Sequence, residues 1–65
     1  MTTGEKIREA RKNRGLTQAQ AAARAETAQG TWCDWERGVN QPTLRMLARV
    51  AAALGVAACD LVGEE

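Results

Sequence analysis

Phenylalanine, tyrosine and histidine are absent from this 65-residue chain, proline occurs once, and two tryptophans are its only aromatic residues. Each absence excludes something. Without histidine, the two cysteines fall short of a zinc ligand set, and the side chain that most often moves protons near neutral pH is missing. Cys33 and Cys59 cannot supply the disulfide framework that staples small secreted domains, so both are read as free thiols. No apolar stretch approaches the roughly 20 residues that cross a bilayer, and the opening Met1-Thr2-Thr3-Gly4-Glu5-Lys6 lacks the apolar run of a signal peptide. A soluble, cytoplasmic protein with no membrane association is expected. There is no glycine-rich phosphate loop, and the length suits one domain, residues 1–65, with a thin core rather than a deep pocket. An enzyme is disfavoured, and no cofactor or metal is expected.

What is present is alanine from end to end among other good helix formers, which makes the composition helical. The formal charge of +1 conceals a polarity. Residues 1–49 hold all nine bases and five acids, a net +4, whereas residues 50–65 hold three acids and no base. The N-terminal three quarters is therefore the part suited to a phosphate-rich partner.

Local signals divide the chain into five short helices. Thr2 and Glu5 have capping-box spacing, and Ile7, Ala10, Arg11 and Arg14 recur on one inward stripe until Gly15 closes the helix. A second box, Thr17 with Gln20, opens a run through Ala25 whose inward side chains are Ala21, Ala22 and Ala25. After Glu26 and Thr27, residues 28–37 put Trp32 and Trp35 on one face and Gly30, Cys33, Asp34 and Arg37 on the other, ending at Gly38. Thr43, just after Pro42, caps a strongly periodic helix with Leu44, Leu47, Val50, Ala51 and Leu54 inward and Gly55 as its stop. Residues 56–62 make a last short helix, weakly capped because Ala57 stands where Ser or Asp would help. An all-α, compact five-helix bundle follows.

Several spaced features occur together: Gly4-Glu5-Lys6-Ile7-Arg8-Glu9, Gly15-Leu16-Thr17-Gln18, the break at Glu26-Thr27, the run Trp35-Glu36-Arg37-Gly38, Pro42, and Leu54-Gly55-Val56. In this the chain resembles the lambda and 434 repressor and Cro family of helix-turn-helix proteins over nearly its whole length. The resemblance implies a DNA-binding helix-turn-helix over residues 17–35, with the second helix entering the major groove. Gln29, at the head of that helix, matches a base-reading position, and a glutamine amide can accept from adenine N6 while donating to N7. The plain alternative is an exposed glutamine with no partner. Gln18 matches a position that meets the DNA backbone and sometimes a base; a phosphate role is expected, which the free amides of a helix start would share, although its capping pattern could serve the helix alone. Gly30, Thr31, Cys33, Asp34, Arg37 and Asn40 complete the expected DNA-facing set, with solvated surface as the rival reading of Thr31, Arg37 and Asn40. An inward guanidinium at Arg11 needs a partner, and the resemblance names Glu36 in a partly buried bridge.

The chain also departs from the family. Ala10, Ala21 and Ala25 stand where relatives carry leucine, and Trp32 stands where they carry a medium-sized residue, so Trp32 is expected to refill the vacated volume; partial exposure at a partner contact is the alternative. Glu26 replaces a turn glycine. Gly30 offers no side chain to the groove, and Asp34 is an acid near phosphates that either accepts from cytosine N4, the favoured reading, or is the remnant of a domain no longer bound to DNA. Cys33 stands for a serine or offers a redox-sensitive thiol.

The expected function is a transcriptional regulator, a repressor, that binds double-stranded DNA as a homodimer on a near-palindromic operator. The dimer contact is assigned to the apolar C-terminal segment, Val56, Ala58, Leu61 and Val62, with Cys59 buried nearby. An antitoxin-like or protein-binding module on the same fold, with a protein partner and weak or no DNA binding, is the alternative.

Overall fold

A computed structural model describes residues 1–64. Four α-helices follow in order: α1, Thr3–Asn13; α2, Gln18–Arg24; α3, Gln29–Arg37; and α4, Leu44–Leu54. A single 3₁₀ turn, η1, spans Ala58–Leu61 and replaces the expected fifth helix. Its N-cap, Ala57, makes no side-chain cap bond, and Val62 is already extended, so nothing propagates the helix past one turn. Among the described residues there is no strand.

The helix starts are those the local chemistry dictates. Thr2 and Thr17 each form both halves of a capping box, with Glu5 and Gln20 respectively, and Thr43 Oγ1 accepts from the amide of Met46. The exception is α3, whose N-cap Ala28 has no side-chain bond. That helix is held by packing instead. Trp32 and Trp35 are both buried, their ring centroids 6.0 Å apart and tilted by 54°.

Trp32 is fully buried, as are Ile7, Val50, Leu54 and Leu61, and Ala21, Ala22 and Ala25 of the second helix region close the same core. The large indole thus occupies space that small alanines leave, and its partly exposed alternative is excluded. At the C-terminal end of α3, Gly4 of α1 lies so close to the carbonyls of Trp35 and Glu36 that a Cβ there would overlap Trp35 O. The N-terminal end of α1 is in this way pressed directly onto the C-terminal end of α3.

Three expectations fail on burial. Leu44 shares a stripe with Leu47 and Ala51 but is 84% exposed, because at the first position of α4 no neighbouring element rises to meet it. Ala53 takes its place among the buried residues of that helix. Arg14 lies exposed at the C-cap of α1, its guanidinium resting over Gly55. Cys59 is exposed rather than buried. In the same turn Leu61 is wholly spent on the chain's own core and Val56 and Ala58 are half-buried against it, so of the assigned dimer residues only Val62 stays exposed. The tail after η1 folds back over the start of α1: Gly63 N donates to Thr3 Oγ1 at 3.0 Å, Glu64 N to Met1 O at 2.9 Å, and Lys6 Nζ to Val62 O at 2.9 Å. No helix among the described residues is long and apolar enough to cross a membrane.

Candidate nucleic-acid interface

Helix α2 ends at Arg24 with Ala25 as its C-cap, and the chain reverses through Glu26 in the left-handed region, at φ 58°. A non-glycine residue there costs about 1 kcal/mol. The geometry is nevertheless enforced, since Glu26 N donates to Ala23 O at 3.1 Å and Thr27 N to Ala22 O at 2.9 Å. Arg49 of α4 adds a clamp, donating to Glu26 O at 3.2 Å and pairing with its carboxylate at 3.4 Å. The turn is thus a left-handed glutamate held from a distant helix.

The turn delivers α3 with Gln29, Gly30 and Thr31 exposed in its first turn and the two tryptophans facing the core. At about 100° per residue, Gly30, Cys33, Asp34 and Arg37 form the stripe opposite the buried face, and Gln29 stands at one edge of it. Cys33 and Asp34 are half-buried, and Arg37 is exposed. Asp34 pairs loosely with Arg37, at 3.9 Å, which places a base beside the acid that disturbs this face. Thr31 lies on the opposite flank from Gln29, about 160° away around the helix, so it does not join the same edge. Asn40 is exposed in the loop after α3, its backbone N–H donating to Asp34 O at 3.5 Å.

Beneath this surface lies Glu36, whose side chain is only 3% exposed. Arg11 Nε donates to its Oε2 at 2.6 Å and Arg11 Nη2 to its Oε1 at 3.2 Å, while Nη1 donates to Leu16 O at 2.8 Å. The expected bridge is present, and it also fastens the α1–α2 connection. Two further donors complete the cluster: Trp32 Nε1 gives to Oε2 at 2.5 Å, and Gln18 Nε2 gives to Oε1 at 3.1 Å. Burial pushes the Glu36 carboxyl up, but the hydrogen bonds from Arg11, Gln18 and Trp32, with the Arg11 charge, outweigh it and hold it below the usual carboxylate range. Sequence reasoning foresaw neither the indole nor the amide at this carboxylate. The four-residue spacing of Trp32 and Glu36 on one helix was an available signal for the first. Gln18 reaches Glu36 from another helix, and nothing local announces that.

Among the described residues no group of three or more Cys, Asp or Glu side chains is gathered as a metal site. Both cysteines are free.

A short helix, a clamped reversal and a second helix anchored by its apolar face and exposed along the other define a helix-turn-helix protein. The chain belongs to that family, whose pattern it matches over residues 7–61. It is 43% identical over all 65 residues to an immunity repressor protein of Bacillus phage phi105, and it spans 45% of that relative's length. Among solved structures it is similar to the P22 c2 repressor in complex with a synthetic operator, with a TM-score of 0.91 at 25% identity over 100% of this chain and 98% of the other. The restriction-modification controller protein C.AhdI from Aeromonas hydrophila superposes with a TM-score of 0.88 at 27% identity, covering 91% of this chain and 89% of that one.

Proposed function

We propose that residues 1–65 form a single DNA-binding domain of a transcriptional repressor, with α3 lying in the major groove and Gln29 reading a base. The carrying observation is the orientation of α3. Its tryptophans and Glu36 are locked into the body while Gln29 stands exposed in the first turn, where a recognition helix meets base edges. Gln29 suits adenine, accepting from N6 and donating to N7. Arg37 and Asn40 can reach the phosphates of the far strand, Thr31 a phosphate on its own flank, and Asp34, steadied by Arg37, the amino group of a cytosine. Cys33 fits a small residue that lets the helix lie close to the groove. The likeness to an immunity repressor and to an operator-bound repressor supports this reading.

A half-site of this size buries little surface, so two copies are needed for tight specific binding, their α3 helices about 34 Å apart on a near-palindromic operator. Blocking polymerase is the simplest route from such binding to repression. Because Leu61 is spent on the core, the C-terminal segment can offer this homodimer little beyond Val62. Selection of bound fragments from a random DNA pool, repeated with Gln29→Ala, tests the proposal. Wild type should enrich one motif, bind it with a steep loss as salt rises, and lose preference at one base pair per half-site in the variant. Enrichment of no motif would overturn the reading in favour of a protein-binding module.

A further inference from the structure

The first turn of α1 lies between two other stretches of backbone. On one side Gly4 meets the carbonyls of Trp35 and Glu36, with no room for a Cβ. On the other, Gly63 of the tail rests on residues 1–3, where a Cβ would overlap Thr2 C, Met1 O and Thr3 N. Contacts between side chains can adjust by changing rotamer, but backbone pressed on backbone has no such freedom, so a shift of one layer bears on the next. Three segments distant in sequence thus stack in order: the tail, the start of α1 and the end of α3.

The outer layer is held lightly. Beyond the buried Leu61, Val62 and Glu64 are exposed. Three hydrogen bonds tie the tail down: Gly63 N to Thr3 Oγ1 at 3.0 Å, Glu64 N to Met1 O at 2.9 Å, and Lys6 Nζ to Val62 O at 2.9 Å. A surface segment of this kind opens more readily than the helices it covers. In the inner layer Trp35 O has two roles, since it bears on Gly4 and also accepts from Gly38 N at 3.3 Å to close α3. Val39 N, donating to Asp34 O at 3.0 Å, completes that closure.

We propose that residues 62–64 are a latch. Seated on the first turn of α1, they keep Gly4 against Trp35 O and so fix the C-terminal end of α3 and the loop after it. Unseated, they let both loosen. The exposed Arg37 and Asn40 belong to that end, so the latch sets how firmly this part of the α3 surface is presented to a partner. Its effect on binding rests on the DNA-binding reading, whereas its effect on α3 does not.

Two variants release the latch by different routes. Gly63→Ala puts a methyl where the backbone of residues 1–3 already stands and leaves the charge unchanged. Lys6→Met removes one tie and adds no clash. Hydrogen exchange of the full chain, followed amide by amide by nuclear magnetic resonance, reads the outcome. Exchange at Gly38 and Val39 should quicken by ~10-fold in Gly63→Ala and ~3-fold in Lys6→Met. Thr27, whose amide closes α2 on Ala22 O at 2.9 Å, should exchange as in wild type. Faster exchange confined to residues 1–6 and the tail overturns the latch. Equal acceleration at Thr27 also overturns it, because that signals a general loss of stability. Affinity is read with Gly63→Ala alone, since Lys6→Met alters charge. For the DNA motif that wild type enriches, this variant should bind roughly 3-fold more weakly, and equal affinity despite faster exchange overturns the role in binding. If wild type enriches no motif, that role falls with the DNA reading, and exchange still decides the coupling. If Gly63→Ala does not fold, exchange in Lys6→Met decides it.

Discussion

Helix α3 has two faces built to opposite standards. On the inner face Trp32 and Trp35 are buried and Glu36 has four donors on two oxygens. On the outer face Gly30 has nothing near it, Asp34 and Arg37 meet only at 3.9 Å, and Gln29 is exposed. One helix of nine residues thus separates the work of holding the fold from the work of meeting a partner. A buried carboxylate tolerates no missing partner, whereas an outward amide must remain unsatisfied to be useful. Gln18, half-buried at the start of α2, belongs to the inner standard through the bond it gives Glu36.

If the inner face carries the stability, changes there should dominate. Trp32→Ile removes both ring volume and a Glu36 donor and should cost about 3 kcal/mol, read as a lowered urea midpoint. An unchanged midpoint would mean that the indole merely occupies slack space. Arg11→Ala leaves Glu36 buried without its cation and should cost a similar or slightly smaller amount, about 2–3 kcal/mol, given that Gln18 and Trp32 still donate to it. A thermal melt equal to that of wild type would break the comparison at its centre.

Acid should act on the same spot. Because the folded carboxyl of Glu36 is held below its ordinary value of 4.5, it contributes stability that is present above that value and is lost as pH falls through the lower folded one. The wild-type melting temperature should therefore fall more steeply below about pH 4.5 than that of Glu36→Gln, which has no proton to take up there. Parallel profiles would remove Glu36 from the account of acid sensitivity.

Smaller effects are expected away from the network. Glu26→Gly relieves a left-handed backbone worth about 1 kcal/mol but forfeits the exposed pairing with Arg49, so a net gain of less than about 1 kcal/mol is expected in a denaturant titration. A clear loss would show that the Arg49 clamp outweighs the strain. Smallest of all, Gln29→Ala should leave stability within about 0.5 kcal/mol of wild type, since an exposed side chain with no partner supports nothing. A destabilisation beyond 1 kcal/mol would sharpen the comparison against us by showing that the outer face also bears structure.

Much of this protein was legible because the signals are local. Thr2 with Glu5 and Thr17 with Gln20 close boxes within one turn of backbone, and Gly38 and Gly55 take the left-handed conformation that ends their helices. The Trp32 and Trp35 face follows from helical periodicity, and the Arg11 to Glu36 bridge from family resemblance. Leu44 misled because periodicity says which way a side chain points but not whether anything stands opposite. The last segment misled because its apolar residues suited either an outer interface or the chain's own core, and Leu61 is taken by the core.

The sequence by itself thus determined where the four α-helices begin and stop and which face of α3 is apolar, properties that short-range bonding and periodicity encode, and its spaced motifs carried the family resemblance. Tertiary structure alone decided that Arg49 clamps Glu26, that Leu61 turns inward, and that Gln18 and Trp32 share one buried carboxylate. Those contacts join residues that only the packing of separate elements brings together, or, for the indole, a rotamer that only the surrounding core selects.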